Sequence, residues 1–215
     1  MKTVYCDGST TIKNKKGFPN KGGFGYVAYD ESGYIIDAYS EQTTNTTNNE
    51  MELKALITAL KRFGTSDPWE CPTIYSDSQY AIKCLFTWGQ QWKYNGWKRS
   101  NGESIENLAL IKKGLALINS GNYIAEVQYC KGHSGIVGNE LADKLATGEM
   151  TPEEVFYSDV KNKIPNMGYF VSSGFSVDSK FKDDINYWIT GIEDGFILPN
   201  IELQNWYNDI KKIWK

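Results

Sequence analysis

Histidine occurs once in the 215 residues, and the four cysteines (Cys6, Cys71, Cys84 and Cys130) form no CxxC pair. Structural zinc needs Cys and His ligands at short spacings, so no such site is indicated, and four scattered thiols make no disulfide framework. No apolar run approaches the ~18 to 20 residues that span a bilayer, and the opening MKTVYCDGST carries no apolar leader core. These absences predict a cytoplasmic chain, neither secreted nor membrane-embedded. An excess of positive charge is missing as well, since the formal charge is −3. A generic polyanion binder is usually strongly basic, so the total charge argues against one.

The charge is unevenly spread. Residues 1 to 150 hold 16 Lys+Arg and 16 Asp+Glu, while residues 151 to 215 hold 7 and 10, so the whole excess lies in the tail. Basic side chains cluster at Lys13, Lys15, Lys16 and Lys21, and again at Lys93, Lys98 and Arg99 among Trp88, Trp92, Tyr94 and Trp97. Such local fields matter more than the sum. Thirty aromatics exclude disorder for most of the chain.

Residues 2–7 alternate as a strand does, and 24–30 and 34–41 predict two more, split by a turn at Glu31-Ser32-Gly33. Thr47-Asn48-Asn49-Glu50 is a capping box, behind which Leu53, Leu56, Ile57 and Leu60 recur at helical spacing to about Phe63. A short strand after Pro72, a helix from about Ser78, a helix near 104–118 and a strand over 123–131 follow. A Gly-rich loop (KGHSGIVG) then leads to a helix over NELADKLA, closed by Gly148. Antiparallel strands first, then strands alternating with helices, predict an α/β layered domain. Thr151-Pro152-Glu153-Glu154 starts a new helix, so the boundary is expected at 148/149. In the tail, Phe181, Ile185, Trp188 and Ile189 mark one amphipathic helix, and Leu203, Trp206, Tyr207, Ile210, Ile213 and Trp214 another. A small helical region with no phosphate contact of its own is expected there.

Four acids stand out by position. Asp7 ends the first strand, Glu52 lies in the first turns of the capped helix, Asp77 ends a later strand and Asp143 lies in the NELADKLA helix. Were those strand ends and helix faces to converge, they would make an all-oxygen cluster of the kind that holds Mg²⁺. Two such ions would clamp the attacking and leaving oxygens of a phosphoryl transfer.

At this point the sequence resembles the type 1 ribonucleases H. The similarity rests on CDGS (6–9), GGFGYVAY (22–29), TTNNEMELKALITAL (46–60), YSDSQYAIKCL (75–85), TWGQQWKYNGWK (87–98) and YCKGHSGIVGNELADKLA (129–146), in family order over about residues 1–148. The resemblance implies an α/β fold with a mixed five-stranded sheet, three antiparallel strands then two parallel, flanked by helices. It implies a metal-binding tetrad of Asp7, Glu52, Asp77 and Asp143, holding two Mg²⁺ ions with substrate bound and accepting Mn²⁺ in their place. Glu50 also follows Asn-Asn, but the family pattern puts the acid between Met and Leu, at Glu52. The family's catalytic histidine falls on His133, and Glu140 resembles an accessory acid.

For the substrate, an RNA/DNA hybrid, the resemblance assigns minor-groove contacts to Asn48, Asn49 and Gln79 and a DNA-phosphate pocket to Thr47 with Asn107. Backbone groups of Gly8 and Ser9 would meet the RNA strand. Trp88, Trp92, Lys93, Trp97, Lys98 and Arg99 match the family's basic protrusion. Trp88 is expected in the core, and the rings of Trp92 and Trp97 exposed beside the cations. Asn45, Glu50 and Tyr94 replace common basic residues, which predicts weaker and more salt-sensitive hybrid binding unless the lysines of 13–21 compensate. The implied activity is endonucleolytic cleavage of the RNA strand by a monomer, leaving 3′-hydroxyl and 5′-phosphate ends. No additional hybrid-binding domain is expected ahead of the first strand, and the C-terminal extension is the candidate surface for a protein partner. Two rivals are a non-catalytic hybrid-binding module, disfavoured by the complete tetrad, and a DNA-directed nuclease of the same fold, disfavoured by Asn48, Asn49 and Gln79.

Overall fold

Three strands in succession, β1 (Thr3–Thr10), β2 (Lys21–Tyr29) and β3 (Ile35–Thr44), form an antiparallel meander. The β2–β3 turn forms because Asp30 Oδ1 accepts the N–H groups of Ser32 and Tyr34, both at 2.9 Å, and Gly33 takes φ +82°. Two further strands, β4 (Thr73–Ser76) and β5 (Glu126–Tyr129), add in parallel beside β1, giving the sheet order β3-β2-β1-β4-β5. This is the mixed five-stranded sheet that the family resemblance implies. The computed structural model describes residues 1–11 and 20–163; the expected tail helices and Lys13, Lys15 and Lys16 lie outside them.

Helix α1 (Asn48–Phe63) follows β3 and begins where the Thr47 hydroxyl accepts the Glu50 N–H at 3.2 Å. Only that half of the expected capping box forms. The Glu50 carboxylate instead accepts from the Thr46 hydroxyl (2.9 Å) and pairs with Lys54 (3.0 Å). Leu53, Leu56 and Leu60 on α1 are fully buried against Val4 and Cys6 of β1 and Ile74 of β4. Each such side chain contributes about 1.5–3 kcal/mol of burial. Because strand residues alternate faces, Val4 and Cys6 point to α1, while Tyr5 packs on the opposite face under helix α5 (Val137–Thr147).

From β4 the chain enters α2 (Gln79–Lys83), a π-helical turn (Cys84–Trp88) and α3 (Gly89–Tyr94), followed by α4 (Leu108–Asn119). The helix expected over 104–118 starts only at Leu108, because Asn107 adopts a left-handed conformation at φ +55° that no helix continues through. The strand expected over 123–131 shortens to β5, and Ile124 instead bridges to Thr65. Gly148 closes α5 at φ +75° in the predicted role. The chain divides into two units after Pro152, and α6 spans Pro152–Lys163. Among the described residues, no helix is long and apolar enough to cross a membrane.

Candidate active site

Parallel pairing of β1 with β4 runs as far as Cys6 and Ser76, so the next residues, Asp7 and Asp77, come together where that pairing ends. Asp7 does not end β1 as expected, because pairing with β2, Asp7 opposite Gly25, carries the strand on to Thr10. The N-terminal turn of α1 closes on that end at Gly8. A Cβ there would lie 2.2 Å from the Glu52 nitrogen, so only glycine permits the approach. Helix α5 crosses β1 and β2 and brings Asp143 alongside.

Asp7 is 9% exposed and its Oδ1 accepts the Gly8 N–H at 2.7 Å. Burial, then the charges of Asp77 and Asp143, push its carboxyl up to about 8. Asp143 is raised by burial and by Glu149 and Glu140, with His133 opposing the rise. Burial also raises Glu52, and the Asp77 charge adds to it. Each Glu52 oxygen accepts one protein donor: Ser78 Oγ on Oε2 and Asn48 Nδ2 on Oε1, the latter at 2.6 Å. Asp77 Oδ2 accepts from Asn139 Nδ2 at 3.2 Å, and the backbone of Gly132 stands so near that a Cβ would lie 2.4 Å from the same oxygen.

The four acids thus sense one another where the β1–β4 pairing ends. Even so, no group of three or more His, Cys, Asp or Glu among the described residues is gathered tightly enough to hold a metal ion as it stands. The expected tetrad is a neighbourhood rather than a preassembled ligand set, with its oxygens turned partly to protein donors. Its chemistry nonetheless fits a hard divalent cation. Every donor is a carboxylate oxygen, and a cation would offset the repulsion from Asp77 and Asp143 that adds to burial in raising Asp7.

His133 lies on the exposed loop before α5 with φ +48°, and Glu140 Oε1 steadies that loop by accepting the Gly135 N–H at 3.3 Å. The expected substrate residues are arranged unevenly. Gly8 is buried and its N–H serves Asp7, whereas Ser9 is partly exposed. Asn48 is committed to Glu52, Thr47 caps α1, Gln79 is exposed, and Asn107 Nδ2 donates to the Tyr80 hydroxyl at 3.4 Å. Asn49 is half-buried. In the protrusion, Trp92 and Trp97 are not the exposed rings expected: both pack, with Trp88, against the core, because their indoles are large enough to cover its edge. The exposed ring is Tyr94. Lys112 sits 4.7 Å over the Trp97 ring, Arg99 pairs with Glu103 at 3.7 Å, and Lys93 and Lys98 are exposed.

Sequence reasoning missed Ser78, Cys130 and Asn139. Ser78 caps α2 by accepting the Ala81 N–H at 3.0 Å, while its own hydroxyl proton goes to Glu52. The signal for Asn139 was present in its position four residues before Asp143, on the same face of α5.

A family model described as RNase H matches residues 1–151. The ribonuclease H of Paracidovorax citrulli is 38% identical over 143 residues, covering 66% of this chain and 89% of that protein. The ribonuclease H of Schizosaccharomyces pombe is 39% identical over 143 residues, covering 66% of this chain and 50% of that one. Among solved structures, LC9-RNase H1, a type 1 RNase H with the type 2 active-site motif, superposes with a TM-score of 0.56. It is 29% identical, over 70% of this chain and 73% of that one. The RNase H domain of PFV superposes at TM-score 0.58 and 24% identity, over 68% and 92%, and bears on the fold alone.

Proposed function

The chain belongs to the RNase H family, and from that premise we propose that it cleaves the RNA strand of RNA/DNA hybrids endonucleolytically, leaving 3′-hydroxyl and 5′-phosphate ends. The observation that carries the proposal is the meeting of Asp7, Glu52, Asp77 and Asp143 where the β1–β4 pairing ends, with Asp7 pushed up to about 8 by burial and then by its acidic neighbours. These four residues would hold two divalent cations, Mg²⁺ or Mn²⁺. When bound, such ions favour ionisation of the attacking water and neutralise the leaving 3′-oxygen.

The protein's own residues do the rest. Ser78 and Asn48 orient Glu52, and Asn139 orients Asp77. His133, exposed beside Asp143, receives or returns a proton as the phosphodiester breaks. Asn49 and Gln79 read the hybrid minor groove, where the 2′-hydroxyl of one strand and its absence from the other are sensed. Lys93 and Lys98 meet phosphates of the DNA strand. The catalytic domain covers residues 1–148 and acts as a monomer, and the extension is the candidate segment for binding a protein partner.

End-labelled RNA/DNA, double-stranded RNA and double-stranded DNA are incubated with the protein in Mg²⁺ or EDTA and resolved on a gel. Cleavage of the RNA strand of the hybrid in Mg²⁺ alone is the expected result. Cleavage of double-stranded DNA, or retention of the hybrid uncut in Mg²⁺ and Mn²⁺, refutes the proposal.

A further inference from the structure

Asp77 has a neutral amide partner on α5. Its Oδ2 accepts from Asn139 Nδ2 at 3.2 Å and is packed beneath Gly132. A carboxylate only accepts, so the Asn139 amide must turn its NH₂ to Asp77, which leaves Oδ1 on the other side in a setting where Asn139 is 2% exposed. A buried amide oxygen needs a donor. That donor is the thiol of Cys130, whose Sγ lies 3.2 Å from Asn139 Oδ1 and which is itself 7% exposed. Cys130 is in turn tied to the strand that carries Asp77, because its N–H donates to the Ser76 carbonyl at 3.1 Å. The contacts close a ring from β4 through Cys130 and Asn139 back to Asp77, and Asn139 stands one turn before Asp143 on α5.

We infer that Cys130 is a positioning residue: its thiol fixes the Asn139 amide so that Asn139 holds the Asp77 carboxylate, and with it the spacing between Asp77 and Asp143. The inference rests on the proposed role of Asp77 in holding a divalent cation. Without the thiol proton the amide keeps its bond to Asp77 only by leaving its oxygen unpaired, or turns and sets oxygen against oxygen. Either change loosens the carboxylate without touching the hybrid surface. Groups one step behind a ligand commonly cost ~10- to 100-fold in metal affinity or activity when removed. Cys130 stands one step further back, and a ~3- to 10-fold change is expected.

The test compares the full chain with Cys130→Ala, Cys130→Ser and Asp77→Asn. Mg²⁺ binding is followed by calorimetry without hybrid, and hybrid cleavage is titrated with Mg²⁺. Exchange of the Asn139 side-chain amide protons is followed by nitrogen-edited NMR. Cys130→Ala is expected to raise the half-saturating Mg²⁺ concentration ~3- to 10-fold, leave KM for hybrid at saturating Mg²⁺ unchanged, and speed Asn139 exchange. Cys130→Ser, which restores a donor, should return all three to within about twofold of the wild type. Equal impairment in Ala and Ser, or a lower Tm with unchanged Mg²⁺ dependence and unchanged Asn139 exchange, overturns the inference. If Asp77→Asn loses Mg²⁺ while Cys130→Ala binds it as the wild type does, the positioning role fails and the metal reading stands. Should Asp77→Asn bind Mg²⁺ as tightly as the wild type, the metal reading itself fails and the inference falls with it.

Discussion

Replacing Asp7 by Asn tests whether the carboxylates strain the metal-free protein. Asp7 ionises near 3.8 when unfolded and is pushed up to about 8 when folded, chiefly by burial and then by Asp77 and Asp143. The folded state therefore holds a proton that the unfolded state has released. Stability from this group is complete below about pH 4 and is lost as pH rises to about 8. Each pH unit of that window is worth about 1.4 kcal/mol, so the three units from pH 5 to pH 8 amount to about 4 kcal/mol. Turning of the charged side chains toward solvent lowers this, and a loss of about 2–4 kcal/mol is expected. Asn keeps the oxygen that accepts the Gly8 N–H but cannot ionise. Urea unfolding in EDTA at pH 5, 6, 7 and 8, followed by circular dichroism, should show the wild type losing about 2–4 kcal/mol more than Asp7→Asn across the range. Mg²⁺ at pH 8 should return part of that stability to the wild type and little to the variant. Parallel stability curves for the two proteins would refute the reasoning.

Glu52→Gln should abolish hybrid cleavage in Mg²⁺, whereas Glu50→Gln keeps an acceptor for Thr46 and should cost less than about 1 kcal/mol with cleavage intact; a gel and a melting curve check both. Gly8→Ala forces a Cβ into the backbone of α1 at Glu52, and overpacking of about 1–3 kcal/mol should lower Tm and depress kcat together. His133→Ala should slow turnover by roughly 10- to 10⁴-fold without changing hybrid affinity, as steady-state kinetics and binding in Ca²⁺ would show. Changing Lys93 and Lys98 together to Ala should flatten the slope of log affinity against log salt by about 1–2, and Arg99→Ala should add less because Glu103 already pairs with it.

Much of the frame was legible because local signals and tertiary packing agree. The Thr47 cap and the leucines of α1 predict a helix ending at Phe63, and it ends there. The end of β4 before Asp77 could likewise be read from YSDS, whereas Asp7 lies inside β1, which pairing with β2 carries on to Thr10. What could not be read was decided by neighbours distant in sequence. The Asn107 break depends on a left-handed residue in an otherwise helical run, and propensity does not reveal it. Trp92 and Trp97 have the spacing of either a core stripe or a stacking surface, and packing against the core resolves it. Ser78, Cys130 and Asn139 look like a cap, a filler and a helix residue until the fold sets them behind Glu52 and Asp77.

The π-helical turn at Cys84–Trp88 gives the protrusion its bearing. A plain α-helix from Gln79 to Tyr94 would tie the azimuth of every residue to that of Tyr80, at about 100° per residue. The wider turn takes up one extra residue and so swings everything beyond it around the axis without lengthening the rod appreciably. Trp92 and Lys93 therefore point where they do because of a backbone irregularity upstream. Deleting one residue from this turn would leave the carboxylate end of the sheet untouched and rotate the cations by about 100°. On the proposed function, the fold would thereby separate where this protein cuts from which way it faces the strand it does not cut.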